Sequence, residues 1–398
     1  MCKSIDKRNN LTIVPSVTIW KIGGEFYFDR KFHDGIISYC NGWVGTVSLV
    51  MRIADISPPE FGLILFEPTR FPAELIIIEN DEQIAKQHIN QADILLASGD
   101  NYKNFHLSAL CKQQGVKCIY SIEYIFNTRF QIIMMSELRG WKKIKSIVWT
   151  VLTEFKRRKA FGLADGIQAN GAPAYRAYNK FVDNSLLYFD SRNSADLNIT
   201  ATELDVRLLV LDNNEPLRLG FSGRLITMKG VDHLIEVARI LKEVNIPFSF
   251  DVFGAGDLES LMKQKIKDYK LEGIVNIRGN VDFTDELIPF IKANLDLFVC
   301  CHRQSDPSCT YLETYACGVP IVGYANKAHQ GILDKFNVGW SVPINNIKAL
   351  ADKIIYLNSH REEIKTKANN ARIFSIDHTF EKTFSRRIEQ CAALVKGK

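Results

Sequence analysis

The sequence predicts an α/β protein with more than one domain, in which helices cover parallel sheets. Its 398 residues exceed what one ordinary hydrophobic core holds. In both halves, short apolar runs alternate with segments of helical periodicity, which is typical of parallel strands joined by crossover helices. The composition, with 46% hydrophobic and 24% charged residues, is that of a soluble globular protein.

Residues 11–190 form the less regular half. Thr12–Trp20 and Glu25–Phe28 alternate like strands around Gly23-Gly24, a pair typical of a two-residue hairpin turn. Further apolar runs predict strands at Val44–Met51, Ala73–Glu79, Asp93–Ser98 and Val116–Ile122. Helical patterns occur at Gln83–Gln91 and Asn104–Gln114, and residues 164–179 indicate a strand, a turn and a Pro-started helix. Polar residues 190–206 predict a linker, with Val206–Leu211 as a candidate strand of either domain.

The second half has a sharper pattern. Strands are predicted at Leu217–Phe221, Phe248–Phe253, Val275–Ile277, Leu297–Cys301 and Pro320–Gly323. Helices are predicted at Gly230–Val244, Leu258–Lys270, Thr284–Asn294 and Tyr311–Cys317, the last ending at Gly318. This order predicts an open, doubly wound sheet, and such sheets bind ligands at the carboxyl ends of their strands.

Two cations lie in the first of three loops expected at that edge. Arg224 offers a planar fork that matches phosphate oxygens, and Lys229 offers a compact positive charge. Glycines let the backbone approach a ligand closely in the first two loops, at Gly223, Gly230, Gly254 and Gly256. Two other interpretations stay open: Arg224 and Lys229 as a solvated loop pair, and Gly254 and Gly256 as turn glycines only.

The third loop leads to the N-terminus of the helix predicted from Tyr311, which is expected at Ser308, Cys309 and Thr310. A helix N-terminus has unpaired N–H groups and about half a positive charge, so it attracts anions. Glu313, one turn further on, is suited to accept hydrogen bonds from two ribose hydroxyls, although it is also an ordinary first-turn glutamate. Together these residues predict a site for a nucleoside diphosphate.

Three motifs in this half resemble a known family. Gly-Arg-x4-Lys-Gly, Phe-Gly-x-Gly and Glu-Thr-x-Ala-Cys-Gly-Val-Pro-Ile-Val, in this order, resemble the retaining group 1 (family 4) glycosyltransferases. The resemblance covers about residues 217–345. It implies the GT-B fold, two Rossmann-like doubly wound domains facing across a cleft. The implied domains are an acceptor-binding domain 1–190, a linker 191–216, a nucleotide-sugar-binding domain 217–375, and a C-terminal helix 376–398 that can cross back to the first domain.

The resemblance also assigns roles. Arg224 and Lys229 hold the donor diphosphate, and Glu313 takes the ribose. The family pairs two glutamates eight positions apart, but here Ser305 occupies the earlier position. Either the adjacent Asp306 substitutes as a catalytic carboxylate or the loop backbone suffices. Where the family often has a histidine facing the donor sugar, this chain has Glu123, which can stabilise an oxocarbenium-like transition state or bind a sugar hydroxyl.

The sequence gives no sign of a metal cofactor. Asp-x-Asp, which would hold a metal-diphosphate complex, occurs nowhere in the chain, so Arg224, Lys229 and the helix N-terminus are expected to neutralise the leaving group. Nine cysteines without metal-type spacing, no long apolar run and no signal peptide indicate a cytoplasmic protein. Two other functions stay open: a GT-B sugar-nucleotide epimerase and a non-catalytic nucleotide-sugar-binding protein.

Residues 139–161 concentrate positive charge. They hold eight Lys or Arg and one Glu, a net +7, whereas the whole chain carries +5. Apolar residues at helical spacing are Trp141, Ile144, Val148, Val151, Leu152 and Phe155. The segment is either a buried amphipathic helix with solvated ends or a patch that binds an anionic membrane surface. Nucleic acid is disfavoured because no stacking platform accompanies the charge.

We therefore predict transfer of a sugar, with retention, to a glycan or lipid-linked acceptor for surface polysaccharide, at the cytoplasmic face of the membrane.

Overall fold

The computed structural model describes residues 9–58, 62–212 and 215–396. These form two compact units. The first contains the described residues up to 170, residues 174–188 and those from 381 onward; the second contains 171–173 and 189–380. Each unit is built on a parallel sheet covered by helices, so the α/β prediction is confirmed.

The first unit has ten strands. They are β1 Asn9–Val14, β2 Trp20–Ile22, β3 Glu25–Asp29, β4 Gly45–Arg52, β5 Leu63–Phe66, β6 Glu74–Ile78, β7 Ile94–Ser98, β8 Lys117–Ile122, β9 Gly166–Asn170 and β10 Ser185–Tyr188. Seven form a parallel sheet in the order β10-β9-β8-β7-β1-β4-β6, and β2, β3 and β5 form a small antiparallel sheet. The strand order reverses between β1 and β7, which makes that point the expected ligand edge.

The helices before residue 180 are α1 Arg30–Gly42, α2 Leu107–Gln114, α3 Phe126–Met135, α4 Gly140–Gly162 and α5 Gly171–Tyr178. The first unit's core includes Tyr120 of β8, Phe161 of α4 and Tyr178 of α5, all almost fully buried. Phe161 packs against both tyrosine rings, with centroids 5.2 and 5.1 Å away. Aromatic residues from a strand and two helices therefore hold this side of the sheet together.

The second unit has six strands, β11 Leu217–Ser222, β12 Phe248–Phe253, β13 Val275–Gly279, β14 Leu297–Cys300, β15 Ile321–Tyr324 and β16 Gly339–Val342. Its helices are α6 Ala201–Asp212, α7 Val231–Glu243, α8 Glu259–Asp268, α9 Ile288–Asn294, α10 Cys309–Ala316, α11 Lys327–Leu333, α12 Ile347–Ser359 and α13 Arg361–Ile376. The parallel strands run in the order β13-β12-β11-β14-β15-β16, the doubly wound Rossmann order, with its switch between β11 and β14.

The last helix, α14 Phe380–Lys396, lies in the first unit from Glu381 onward. Arg387 Nε donates to Gln168 Oε1 at 2.8 Å, and Gln390 Nε2 donates to Asn184 Oδ1 at 2.9 Å. These side chains tie α14 to β9 and to the residue before β10. Within the described ranges, no helix has both the length and the apolar character needed to cross a membrane.

Most predicted elements are confirmed within a few residues. The Gly23-Gly24 hairpin joins β2 and β3, which pair through Ile22 and Glu25. One predicted strand, Thr12–Trp20, is wrong as a single element: β1 ends at Val14, and β2 starts at Trp20 in another sheet. Pro15 explains the break, because proline has no N–H to continue the ladder.

The helix predicted at Gln83–Gln91 is also wrong. The structure has only a short 3-10 turn at Lys86–His88. Both flanking isoleucines, Ile84 and Ile89, are buried. They are five residues apart, and an α-helix would point them in directions too different for both to face one core.

The candidate strand Val206–Leu211 is part of α6 instead. Leu204, Leu208 and Leu211 are buried at helical spacing, whereas Val206 is exposed. A capping box starts this helix: Glu203 Oε2 accepts from Thr200 N at 2.7 Å, and Glu203 N donates to Thr200 Oγ1 at 3.2 Å. The Thr-x-x-Glu sequence was therefore a helix signal within the predicted linker.

Candidate functional site

The loops after β11 and β14 meet at the switch point of the second sheet. Gly230 is the residue that allows this approach. Its φ is +66°, and a Cβ there would lie 2.1 Å from the Cys301 carbonyl oxygen. Any larger residue would be strained and would push the two loops apart. The loop that carries Arg224 and Lys229 is therefore packed against the loop that leads to α10.

Arg303 ties the same two loops together. Its Nη1 and Nη2 donate to the two Asp232 carboxylate oxygens at 2.9 and 2.7 Å, and Nη1 also donates to the Thr227 carbonyl at 2.6 Å. Burial raises the pKa of Asp232, but the hydrogen bonds and charge of Arg303 outweigh burial and bring the pKa below its ordinary value. Sequence reasoning missed Arg303; its only signal was an arginine three residues beyond the end of a strand.

The glycines of the second loop, Gly254 and Gly256, let that loop pack against the loop that carries Arg224. Gly254 has φ +121°, and a Cβ there would lie 2.0 Å from the Gly223 carbonyl oxygen. Beside it, Leu225 N donates to the Ala255 carbonyl at 2.9 Å. Contact between loops thus accounts for Gly254, and a contact of Gly254 or Gly256 with a ligand stays a prediction.

Lys229 and Asp306 are brought together at this edge. Lys229 is 7% exposed, and its Nζ lies 3.8 Å from Asp306 Oδ2. The other oxygen, Asp306 Oδ1, is buried without a hydrogen-bond partner among the described residues. Ser305 is engaged differently, because its Oγ accepts from Lys327 N at 3.3 Å. Asp306, rather than Ser305, therefore presents an acceptor beside the buried cation.

Arg224 is the second cation of this edge. Its side chain is exposed, and within the described part of the chain it has no ion-pair partner. Leu225, the next residue, is fully buried, which anchors the loop below the arginine. The guanidinium is thus free to bind an anion at the mouth of the loop.

Helix α10 begins at Cys309, two residues before the predicted start, with Ser308 as its N-cap residue. The positive end of its dipole therefore faces the same edge as Lys229. Glu313 is buried within the helix and pairs with Arg192, whose Nε lies 3.0 Å from Glu313 Oε1. Lys229 lies in the loop after β11, whereas Asp306, the start of α10 and Glu313 lie in the loop and helix after β14. These are the two strands that flank the switch point.

A buried polar network supports this loop from behind. Asn326 Nδ2 donates to the His302 carbonyl at 3.1 Å and to the Tyr311 hydroxyl at 3.0 Å, and that hydroxyl lies 3.3 Å from His302 Nδ1. Burial, helped by the charge of Lys229, holds the pKa of His302 well below its ordinary value, so the ring is neutral. Sequence reasoning missed this network, since nothing in the sequence pairs Asn326 with residues 15 to 24 positions away.

Glu123 lies in the first unit, directly after β8. Asp100, which follows β7 at the switch point of that sheet, holds its backbone: Oδ2 accepts from Glu123 N at 2.7 Å, and Oδ1 accepts from Tyr124 N at 3.1 Å. Asp100 in turn pairs with the buried Arg157 at 2.6 Å. The catalytic role of Glu123 stays a prediction, and the sequence did not reveal that Asp100 and Arg157 hold this backbone.

Within the described residues, no group of three or more His, Cys, Asp and Glu side chains could hold a metal ion. The eight described cysteines are free thiols. Burial raises the pKa of Cys300, behind the loop, to about 11, so this thiol stays protonated at neutral pH.

Residues 210–374 match a family model described as glycosyl transferases group 1. Among curated relatives, a putative colanic acid biosynthesis glycosyltransferase, WcaL of Escherichia coli, is 26% identical over 43% of each chain. The amylovoran biosynthesis glycosyltransferase AmsK of Erwinia amylovora is 31% identical over 38% of each chain. The chain thus spans about two fifths of the length of these relatives. The resemblance to group 1 glycosyltransferases is confirmed for the region that carries the motifs.

The fold is also found in solved structures. Anabaena Alr3699/HepE, solved with UDP, superposes with a TM-score of 0.64 over 97% of this chain and 100% of that one, at 13% identity. The same protein has been solved with UDP-glucose, at a TM-score of 0.61. At such low identity the likeness establishes the fold alone. Two Rossmann-like domains of the GT-B class, as the motifs implied, are therefore confirmed.

Proposed function

We propose that the protein is a glycosyltransferase that moves a sugar from a nucleotide-diphosphate sugar to an acceptor. One observation carries the proposal: buried Lys229, Asp306 and the start of α10 share the switch-point edge of a sheet within the region of the group 1 match. Cations and a helix N-terminus suit a diphosphate. Since the HepE structures contain UDP and UDP-glucose, a uridine donor is the first to test.

In the proposed reaction, the bond between the anomeric carbon and the diphosphate oxygen breaks. The acceptor oxygen bonds to that carbon on the same face, and the hydroxyl proton passes to the departing diphosphate. Arg224 and Lys229 neutralise the charge that develops on the leaving group, together with the α10 dipole. Glu313 holds the ribose, Asp306 orients the donor sugar, and Glu123 stabilises positive charge at the reacting carbon. No metal is required for these steps.

We further propose a lipid-linked glycan as the acceptor, in the synthesis of surface polysaccharide. Support comes from the relatives named for colanic acid and amylovoran biosynthesis. Such an acceptor places the enzyme at the cytoplasmic face of the membrane, where residues 139–161 are the candidate contact. This location needs a protein surface suited to a lipid bilayer.

Binding of nucleoside diphosphates tests the donor site. A thermal-shift panel of UDP, GDP, ADP and their sugars identifies the base, because a ligand at 100 times its Kd adds about 2.7 kcal/mol of stability. Charge-assisted hydrogen bonds contribute about 1.5–3 kcal/mol, so Arg224→Ala and Lys229→Ala should each weaken binding about 10- to 150-fold in calorimetry. Lys263→Ala, which removes an exposed lysine of α8, is the matched control and should bind normally.

Three outcomes contradict the proposal. Wild-type affinity in both the Arg224→Ala and Lys229→Ala proteins would remove the donor site from this edge. A protein that binds the nucleotide-sugar but converts it to an isomeric sugar-nucleotide without an acceptor would be an epimerase. Binding without release of nucleoside diphosphate to any glycan acceptor would indicate a non-catalytic binder.

A further inference from the structure

Helix α4 turns a polar face toward its own domain. Thr150, Thr153, Glu154 and Arg157 are buried there, and only the last turns add buried apolar groups. The interpretation of residues 139–161 as a helix that buries its apolar stripe is therefore wrong for most of its length. The stripe lies on the opposite side.

An ionic network sets this orientation. Arg157 is fully buried, and its guanidinium donates to Asp100 Oδ1 at 2.6 Å and to the Tyr124 carbonyl at 2.6 Å. Buried Glu154 pairs with Arg129 and accepts from Arg158 Nε at 2.8 Å. Rotating α4 to bury its apolar stripe would leave these charges unpaired or expose them, and unpaired buried charges are strongly unfavourable. The apolar stripe is consequently held outward.

The outward stripe is large. Of the 23 large hydrophobic side chains that lie exposed in the described residues, ten fall between Ile132 and Phe155. On α4 they recur every three or four residues, so they form one face; Trp141 is 75% exposed, Leu152 57% and Phe155 66%. Further exposed apolar side chains precede this face in the chain, at the end of α3 and in the turn before α4. A monomeric soluble protein rarely exposes such a continuous apolar surface without a partner.

Cations border the stripe. Lys145, Lys156 and Lys159 are exposed, and each follows an exposed apolar residue of α4 by four positions, which makes them neighbours on the helix surface. The acidic Glu154 is buried and paired, so it does not offset them at the surface, whereas Glu137, in the turn before α4, is exposed. A surface that combines an apolar stripe with neighbouring cations matches an anionic bilayer, whose acyl region is apolar and whose headgroups are negative.

We propose that the exposed face of α3 and α4 between Ile132 and Phe155 inserts into the headgroup region of an anionic membrane. Helix α4 would lie in the plane of the interface without crossing the bilayer. Trp141 and Trp149 suit the headgroup boundary, and the lysine stems reach past the apolar stripe to the phosphates. The partner is a lipid surface rather than an acidic protein, because three lysines stand beside ten exposed apolar side chains, and a lipid interface buries apolar side chains whereas an acidic protein surface does not.

The opposite face of the same helix holds the Glu123 loop. Arg157 and Asp100 fix the backbone of Glu123 and Tyr124 by the hydrogen bonds given above. An α-helix with its side chains is roughly 10 Å across. The membrane and the Glu123 loop are thus separated by about one helix diameter, a distance that the head of a lipid-linked acceptor can span. The link between the membrane and a lipid-linked acceptor rests on the proposed function, whereas the proposal that α3 and α4 bind the membrane does not.

Vesicle flotation tests the proposal. At low salt, wild type should float with vesicles of 30% phosphatidylglycerol in phosphatidylcholine. The apolar variant Ile144→Ser/Leu152→Ser/Phe155→Ser should partition at least tenfold less. Since each surface cation contributes about fivefold to partitioning, Lys145→Ser/Lys156→Ser/Lys159→Ser should lose about 100-fold, and should equal wild type on pure phosphatidylcholine. Arg157 is left intact in both variants because it is buried.

A matched control removes three exposed apolar residues elsewhere, Val206→Ser/Leu209→Ser/Ile373→Ser, and should float like wild type. Circular dichroism melting and the nucleotide-induced thermal shift report folding and donor binding separately, so a failed membrane surface is distinguishable from a failed donor site. Wild type that stays with the lipid-free protein, or equal flotation of wild type and the apolar variant, overturns the proposal. So does a lipid-free dimer in sedimentation velocity that the apolar variant dissociates, because the face would then bind a second copy.

Discussion

Arg192 Nε lies 3.0 Å from Glu313 Oε1, and this ion pair joins an irregular segment before α6 to the helix that leaves the switch point. The Glu313 side chain is 6% exposed, whereas that of Arg192 is 49% exposed and its guanidinium stacks over Phe283 at 4.4 Å. The carboxylate that the motif assigns to the ribose is thus already oriented by a cation. Sequence reasoning did not identify Arg192 as the partner of this carboxylate.

Glu313→Gln should weaken nucleotide binding about tenfold while changing the turnover of bound donor less. The amide has one acceptor oxygen instead of two, and it loses the charge that strengthens both hydrogen bonds. Arg192→Met separates the ribose role from the ion pair: it removes the pair but keeps the carboxylate. Donor KM and kcat measured for both variants decide between them. An unchanged donor KM in Glu313→Gln would exclude the ribose role. Equal KM values for the two variants would mean that the effect of Glu313→Gln comes from loss of the ion pair and not from loss of a ribose contact.

Asp306→Ala should reduce turnover far more than Ser305→Ala, by about 100-fold against less than threefold. Asp306 has a buried, unpaired Oδ1 beside Lys229, whereas Ser305 Oγ already accepts from the Lys327 backbone. Leaving a buried donor or cation without its acceptor costs about 1–3 kcal/mol. Rates at saturating donor, with melting temperatures as the folding control, measure the difference. Equal, small effects would leave the loop backbone as the sugar contact.

The second unit was largely predictable from sequence because its strands are short, apolar and bounded by glycine or polar residues. Each of the five strands predicted from Leu217 onward corresponds to one of β11 to β15, and the loops that carry Lys229 and Asp306 do meet. The sequence did not predict the polar residue pairs whose members are far apart in the chain. Arg192 and Glu313 are 121 positions apart, and Arg303 reaches Asp232 across 71. Neither pair leaves a periodic signal in the chain.

The orientation of α4 was unpredictable for the same reason. Helical periodicity reveals that residues 139–161 have an apolar stripe, but it does not say which side faces the core. That side is chosen by Arg157, whose partner Asp100 is 57 positions away. Local pattern would bury Trp141 and Phe155, and the tertiary ionic network exposes them. The amphipathic pattern therefore predicted helix α4 but did not predict which of its faces packs against the core.

Acid should destabilise the fold through His329. This ring is fully buried and stacks against Tyr311 at 5.6 Å. Among the described residues it is hydrogen-bonded only at Nδ1, 3.2 Å from the Tyr324 carbonyl. Burial lowers its pKa from the ordinary 6.5 to about 4. As pH falls below 6.5, the unfolded chain binds a proton that the folded chain does not, so the free energy of unfolding falls until pH reaches about 4. Between pH 7 and pH 5 this loss is about 2 kcal/mol.

Urea unfolding at both pH values measures the loss. His329→Asn keeps a donor for the Tyr324 carbonyl but cannot titrate, so it should lose about 2 kcal/mol less than wild type over this interval, whatever its stability at pH 7. Between pH 7 and pH 8 the two proteins should differ by only about 0.1 kcal/mol, because the unfolded histidine, with a pKa of about 6.5, releases only about a fifth of a proton there. If the variant and wild type lose the same free energy on acidification, the ring already carries a proton in the folded state, and its burial as a neutral group is refuted.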